Sequence, residues 1–351
     1  CARVLRKHGD AFGIAADYTV LDREDQRRLL KNLISDLGAV AGRFKPPEIA
    51  SMISHVKNGG GGRAPLDLRD PDVESLFDRL LATYRKRLSA GNLLDFDDML
   101  LEALRLFREA EGVGDEYRRR FAHVLVDEYQ DTNVVQAELL ASLVGPSKNL
   151  TVVGDPDQSI YRWRGATVRN ILDFEKAWPG AKKVVLERNY RSTHRILEAA
   201  EHVIARNLDR HAKRLFTENE EGETIREIRC RNAEDEAEVV AGLLAGWRAE
   251  GRSWGDMAVF YRVNSLSRAL ELSLRVLEVP FVVVAGVEFF QRRVVKFLLA
   301  YARLVVNPRD EAGFLRIANS PRRGIGTQSV ARLRLAASLL DASVLETART
   351  K

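Results

Sequence analysis

Between Leu93 and Val284 the sequence alternates short apolar runs with amphipathic helical patterns, and this alternation limits the possible folds more than any other feature. Val124-Leu125-Val126 ends in carboxylates, Leu150 to Val153 ends in Gly154-Asp155, and Val184 to Leu186 ends in Glu187-Arg188-Asn189-Tyr190-Arg191. Met257 to Tyr261 and Phe281 to Val284 are further strand candidates. Between these runs, apolar residues recur at helical spacing in Val135/Leu139/Leu140/Leu143, Ile196/Leu197/Ala200/Val203/Ile204 and Val239/Val240/Leu243/Leu244/Trp247. Short buried strands alternating with helices predict an α/β fold, with parallel sheets flanked by helices on both faces. Ligands of such sheets bind beyond the carboxyl ends of the strands, where each of these runs turns polar.

The flanks read differently. From Cys1 to about Asn92 the pattern is helical and polar. Leu29, Leu30, Leu33, Ile34 and Leu37 form one stripe, and Pro46-Pro47 opens a helix carrying Ile49, Met52, Ile53 and Val56. Gly59 to Gly62 then break it. No Lys-Ser/Thr follows these glycines and no strand precedes them, so they read as a flexible loop rather than a phosphate cradle. Beyond about Phe290 the chain is helical and arginine-rich. A length of 351 residues calls for more than one domain.

A net charge of +5 admits a nucleic-acid partner without requiring one, since many soluble enzymes share it. The only cysteines, Cys1 and Cys230, exclude a disulfide framework and offer no metal-ligand spacing, which suits a reducing, cytoplasmic compartment. No apolar run reaches membrane-spanning length, and no signal segment opens the chain. The first residue is Cys1 rather than methionine and the opening residues already read as helix, so the chain is expected to be an internal fragment.

Three strand-end clusters carry chemistry. In Asp127-Glu128-Tyr129-Gln130-Asp131, adjacent carboxylates leave a buried strand. Magnesium takes one or two carboxylates together with waters and phosphate oxygens, and a neighbouring carboxylate can accept a proton from an attacking water. A solvated acidic turn fits the same residues. The second cluster runs from Val153 to Ala166. Gln158 is a neutral donor and acceptor suited to sensing a terminal phosphate. Tyr161 and Trp163 alternate with Arg162 and Arg164, as a single-strand channel requires: rings stack bases and cations follow the backbone. The alternative is that both rings are core residues on one strand face. In Leu186 to Ser192, Arg191 could stabilise charge on a transferring phosphoryl group, or form a surface salt bridge at a helix start.

In order and spacing, VDEYQDTN, GDPDQSIYRWRGA and LERNYRS resemble motifs II, III and IV of the UvrD/PcrA/Rep-type superfamily 1 DNA helicases. The resemblance continues through Tyr261-Arg262-Val263-Asn264-Ser265, Phe289 to Lys296 and Arg323-Gly324-Ile325-Gly326, and upstream through Leu94 to Asp98 and Cys1 to Leu5. It implies RecA-like P-loop NTPase motor domains with inserted, mainly helical accessory domains. The implied division is 1–14 and 93–183 for the first motor domain, 15–92 for a helical insertion, 184–288 for the second motor domain and 289–351 for the start of a helical accessory domain.

The implied activity is ATP-dependent 3′→5′ translocation on single-stranded DNA and unwinding of single-strand/duplex junctions, in repair or replication. The cofactors are ATP and Mg2+, with Asp127 holding the metal through water and Glu128 as general base. By the same resemblance Gln158 would couple the γ-phosphate to DNA, Tyr190 would stack near the adenine and Arg191 would serve as arginine finger. Tyr161, Trp163, Arg164, Arg262 and Asn264 line the DNA, and Gly324 and Gly326 contact duplex, although an ordinary loop fits those glycines as well.

The sequence departs from the family pattern at Arg188, where glutamine is frequent, and at Val294, where glutamate is common. No G-x-x-x-x-G-K-[ST] stretch occurs, so the chain by itself is expected to hydrolyse ATP negligibly. Motifs Ia, V and VI are expected outside these residues. Two other readings remain: a subunit of a helicase–nuclease, and a DNA-binding module with an inactive ATPase.

Overall fold

The computed structural model describes residues 1–37, 44–59, 71–207, 210, 213–284, 293–340 and 342–350. The chain divides into two units. The first comprises 1–187, 204–214 and 297–351, and the second comprises 188–203 and 215–296.

The first unit opens with α1 (Ala2–His8) and β1 (Thr19–Val20). Asp22 caps α2 (Arg23–Asp36) by accepting the Glu24 and Asp25 amides. Next come α3 (Pro46–Lys57), with prolines in its first turn where no amide partner is lost, and α4 (Pro71–Ala90). The apolar stripe foreseen on α2 and α3 packs as one core of Leu30, Leu33, Ile34, Ile49, Met52 and Ile53 with Phe77, Leu80 and Tyr84 of α4. The chain returns in β2 (Leu93–Leu94), which pairs parallel with β1 at the foot of these helices, Thr19 opposite Leu93 and Val20 opposite Leu94. Of the glycine run, Gly59 is left-handed (φ +71°), and the remaining glycines lie outside the described residues.

Asp95 caps α5 (Phe96–Glu109), with Asp98 reciprocating on the Asp95 amide. After α6 (Val113–Arg120) comes the segment that sets the candidate site: β3 (Val124–Val126), α7 (Val134–Val144) and β4 (Leu150–Val152). β3 and β4 pair in parallel, Val124 with Leu150 and Val126 with Val152, so both strands end at the same edge. A parallel pair needs a crossover, and α7 supplies it. Leu5, Tyr18, Leu94, Leu106, Phe107 and Tyr117 form the core beside this unit. The short helices α8 (Arg169–Leu172) and α9 (Phe174–Ala177) follow.

The second unit holds α10 (His194–Ile204) up to Val203, α11 (Ala233–Ala249) and α12 (Ser267–Val276). Its buried core is Ala241, Leu244, Leu274 and Val279. The strand expectations fail here and just before it: Val184 to Leu186 at the end of the first unit, and Met257 to Tyr261 and Phe281 to Val284 in the second, form no strands, and the only bridge outside the named strands among described residues is Arg188 with Phe216. The physical reason is pairing. A strand exists through its neighbour's hydrogen bonds, and no described residue ladders with these runs. Several of their side chains remain uncovered, Leu186 at 76% and Phe260 at 93% exposure, while Met257 and Phe281 pack against the second unit's core.

In the closing helices, α13 (Arg293–Val306), which belongs to the first unit from Phe297, α14 (Glu311–Ile317), α15 (Thr327–Leu339) and α16 (Val344–Thr350), Ala300, Leu304 and Ile317 are buried together. Buried Asn307 donates to the Thr19 hydroxyl and to the Gly91 and Asn92 carbonyls, while Arg303 and Arg316 pair with buried Asp25. No described helix is long and apolar enough to cross a membrane.

Candidate nucleotide and nucleic-acid site

The β3–β4 pairing brings two of the three sequence clusters to one sheet edge. Asp127 and Glu128 follow β3 directly, and both are exposed. The Glu128 amide donates to the Asp127 carboxylate at 2.9 Å. Glu128 itself is left-handed (φ +51°, ψ 40°), a conformation costing a non-glycine residue about 1–2 kcal/mol. That strain persists only because its surroundings hold it. Tyr129 is clamped by its amide bond to the Val153 carbonyl and an edge-to-face contact with Phe174 at 5.5 Å.

Gln130 is the residue whose importance sequence reasoning missed. It is 1% exposed. Its amide nitrogen donates to a Glu128 carboxylate oxygen at 2.7 Å, and its amide oxygen accepts the Asp155 N–H at 3.0 Å. One buried side chain therefore joins the acidic turn to the loop after β4. Gly154 makes room for it: a Cβ there would lie 2.5 Å from the Gln130 amide oxygen. The signal was available in the Gly-Asp at the strand end, read above only as a terminus. Further along, the Thr132 carbonyl accepts the Thr167 amide, and Asn133, which caps α7, donates to Asn58 at 2.6 Å.

After β4 the chain makes two 3-10 turns, Pro156–Gln158 and Arg162–Arg164. The Asp155 carboxylate accepts the Asp157 amide at 3.0 Å and the Gln158 side-chain amide at 2.9 Å, and it pairs with Lys213. Burial acts to raise this carboxyl, but the bonds from Lys213, Gln158 and the Asp157 amide hold it below the ordinary carboxylate range. Asp157 pairs with Arg210 at 3.0 Å and Lys213 at 3.1 Å.

Tyr161 and Trp163 do not lie on a strand face, because Arg162 to Arg164 is a 3-10 turn that ends at left-handed Gly165 (φ +87°). Trp163 is 62% exposed, so the core alternative fails for this ring. The Arg164 guanidinium sits 4.7 Å from the Tyr161 ring centre and 4.6 Å from that of Trp163. The result is a surface of one exposed and one half-buried ring with a single cation facing both.

The remaining candidates are found in other places. In the second unit Tyr190 is 74% exposed, with the Arg188 guanidinium 4.6 Å from its ring centre. The Asn189 side chain accepts the Arg191 and Ser192 amides at 3.0 and 2.8 Å, fixing the turn that carries Arg191. The Arg191 side chain is exposed, as are Arg262 and Asn264. In the closing helices of the first unit, Gly324 is left-handed (φ +72°) and Gly326 caps α15. The Phe289 to Lys296 stretch lies partly outside the described residues.

Among the described residues no three His, Cys, Asp or Glu side chains are arranged to hold a metal. The donor set of Asp127 and Glu128 fits magnesium bound through waters and phosphate oxygens, which asks little of the protein.

Comparison with known proteins adds the lineage. Residues 1–179 match the UvrD/REP helicase N-terminal domain, and residues 184–348 match the UvrD-like helicase C-terminal domain. Among similar proteins, an ATP-dependent DNA helicase PcrA of Leuconostoc citreum is 40% identical over 346 residues, covering 98% of this chain and 46% of its own length. Those of Staphylococcus aureus (strain Mu50) and Staphylococcus epidermidis are 39% and 38% identical over 337 residues, each covering 95% of this chain and 46% of the relative. The chain thus spans about half the length of the curated relatives it matches.

Proposed function

Since the chain belongs to the UvrD/REP helicase family, we propose that the full-length protein is an ATP-dependent DNA helicase that translocates 3′→5′ on single-stranded DNA. The observation that carries this reading is the β3–β4 register. It sets the exposed carboxylates Asp127 and Glu128, the side chain of Gln158, and the Tyr161/Trp163/Arg164 surface on consecutive loops of one sheet edge. A nucleotide on the carboxylate side and a DNA strand on the aromatic side are then mechanically connected through Gln130 and Asp155.

In this mechanism Asp127 would hold magnesium, which would neutralise phosphate charge. Glu128 accepts the proton of the attacking water, aimed by Gln130 and by its own strained backbone. Gln158 reads the terminal phosphate. Tyr190 packs against the base and Arg191 supplies positive charge to the transferring phosphoryl group. Tyr161 and Trp163 stack bases while Arg164, held between their rings, faces the phosphate backbone. Arg262 and Asn264 extend the single-strand track, and Gly324 and Gly326 approach duplex phosphates ahead of the unwinding junction. The chain divides functionally into the segments expected from the resemblance, with 15–92 and 289–351 as accessory regions around the two motor domains. The protein would serve repair or replication in the cytoplasm.

The test is Glu128→Gln in the full-length protein. General-base catalysis contributes about 10²–10⁴-fold, so DNA-stimulated hydrolysis should fall by that range. Binding of a fluorescent ATP analogue should remain unchanged. A variant that turns over ATP normally removes Glu128 from the role and leaves the acidic turn without a function.

A further inference from the structure

We infer that Lys213 is a positioning residue for Gln158, acting through Asp155, and that Arg210 assists it by holding Asp157. The inference rests on the motor reading above and concerns how its phosphate sensor is aimed.

Gln158 is exposed and has only one side-chain hydrogen bond among the described residues, the 2.9 Å donation to Asp155. A long, exposed glutamine with that bond removed samples many rotamers, so Asp155 determines where the sensor points. Asp155 is itself held by Lys213, which also reaches Asp157 at 3.1 Å, and Arg210 reaches Asp157 at 3.0 Å. Two carboxylates and two cations thus form a neutral cluster in which Lys213 and Asp157 are largely buried, at 14% and 9% side-chain exposure. Without the cations, two adjacent carboxylates would repel each other and any phosphate approaching Gln158. Lys213 is engaged by both carboxylates, so it is not arranged to bind phosphate itself.

The position of these cations in the chain gives the cluster a purpose. Residues 204–214 belong to the first unit, while the residues on either side of them, up to 203 and from 215, belong to the second. Lys213 is two residues from the point where the chain re-enters the second unit. A displacement of that unit is passed along the backbone to Lys213, then to Asp155, then to the Gln158 amide. The cluster ties the sensor to a segment that continues directly into the second unit.

The experiment uses the full-length protein, with Lys213→Met and Lys213→Arg. Lys213→Met should lower kcat for DNA-stimulated ATP hydrolysis about tenfold and raise the ATP consumed per nucleotide travelled, a coupling loss within the usual range. The KM for ATP and the Kd for single-stranded DNA should stay within about twofold, because neither ligand touches the lysine. Lys213→Arg should recover both turnover and coupling. If Lys213→Met melts early, the pair Asp155→Asn/Lys213→Met keeps an acceptor for Gln158, leaves Asp157 paired with Arg210 and should show the same coupling loss. Normal kcat and coupling in Lys213→Met, or in the double variant, overturn the inference. So does a raised KM for ATP, which would make Lys213 a phosphate ligand. Wild-type protein in the same assay separates the two readings: if it shows no DNA-stimulated turnover, the motor reading fails first.

Discussion

Gly154 shows how one missing methyl group can be a structural requirement. The alanine Cβ would sit 2.5 Å from the Gln130 amide oxygen, 2.9 Å from Ile171 Cδ1 and 3.1 Å from the Tyr129 amide nitrogen. The two polar neighbours belong to the acidic turn and cannot retreat without breaking the bond that aims Glu128. Gly154→Ala should therefore cost about 1–3 kcal/mol, as overpacking does, and should reduce turnover as well, read by thermal melting and ATP hydrolysis. Trp163 presents the opposite case. Its ring is mostly exposed and supports no core, so Trp163→Ala should leave stability within about 0.5 kcal/mol. Single-strand affinity should drop by about 1–3 kcal/mol, the worth of one stacked base. Unchanged affinity in a fluorescence anisotropy titration would take the ring out of the DNA track.

At the scale of elements, α3 and α5 are joined by a buried ion cluster. Lys57 lies 2.6 Å from both Asp95 and Asp98, and Tyr84 donates to Asp95 at 2.8 Å while accepting from Gln26. Lys57→Met strands two carboxylates in the interior and should cost about 3–5 kcal/mol. Burial, then the Asp95 charge, push the Asp98 carboxyl from 3.8 up to about 6, with Lys57 opposing. Asp95 is also buried, yet Lys57 holds it below the ordinary range. The raised group binds its proton more tightly folded than unfolded. Its contribution is therefore full below pH 3.8, declines as pH rises to about 6 and is level above that. The melting-temperature difference between wild type and Asp98→Asn should shrink over that window, and parallel curves would contradict the assignment. Sequence legibility also divides by element. The helices α2, α3, α7, α10 and α11 were readable because their apolar period is local, and β3 and β4 because each has its partner within thirty residues. Val184 to Leu186 and Phe281 to Val284 read equally well as strands but form none, because a ladder depends on a neighbour that periodicity within one run cannot reveal. The same limit hid the Gln130 link and the Lys213 cluster: both join residues distant in sequence, and neither has a spacing of its own.

On the scale of the whole molecule, the two units differ in how much apolar surface they enclose. The first buries large side chains such as Leu30, Met52, Ile53, Leu80 and Tyr84 in one cluster and Leu5, Leu106 and Phe107 in another. Among the described residues the second gathers Ala241, Leu244, Leu274 and Val279 into its core, with Leu197 and Ala237 also buried, while Val282, Val284 and Phe260 stay open to solvent. At about 1.5–3 kcal/mol for each large apolar side chain fully buried, that difference outweighs any surface ion pair. The 351-residue chain should therefore unfold in two steps, with the second unit first. Trp247 and Trp254 pack against the second core, while the other tryptophans, Trp163 and Trp178, belong to the first unit. In a Trp163→Phe/Trp178→Phe background, fluorescence should report an early urea transition. Circular dichroism, to which the helices of the first unit contribute most, should keep a later one. Amides of α11 should exchange before those of α2 and α4, since local opening follows the sparser core. A single transition shared by both probes would mean that the second unit draws its stability from something other than its own core, and the order of unfolding argued from burial would be wrong.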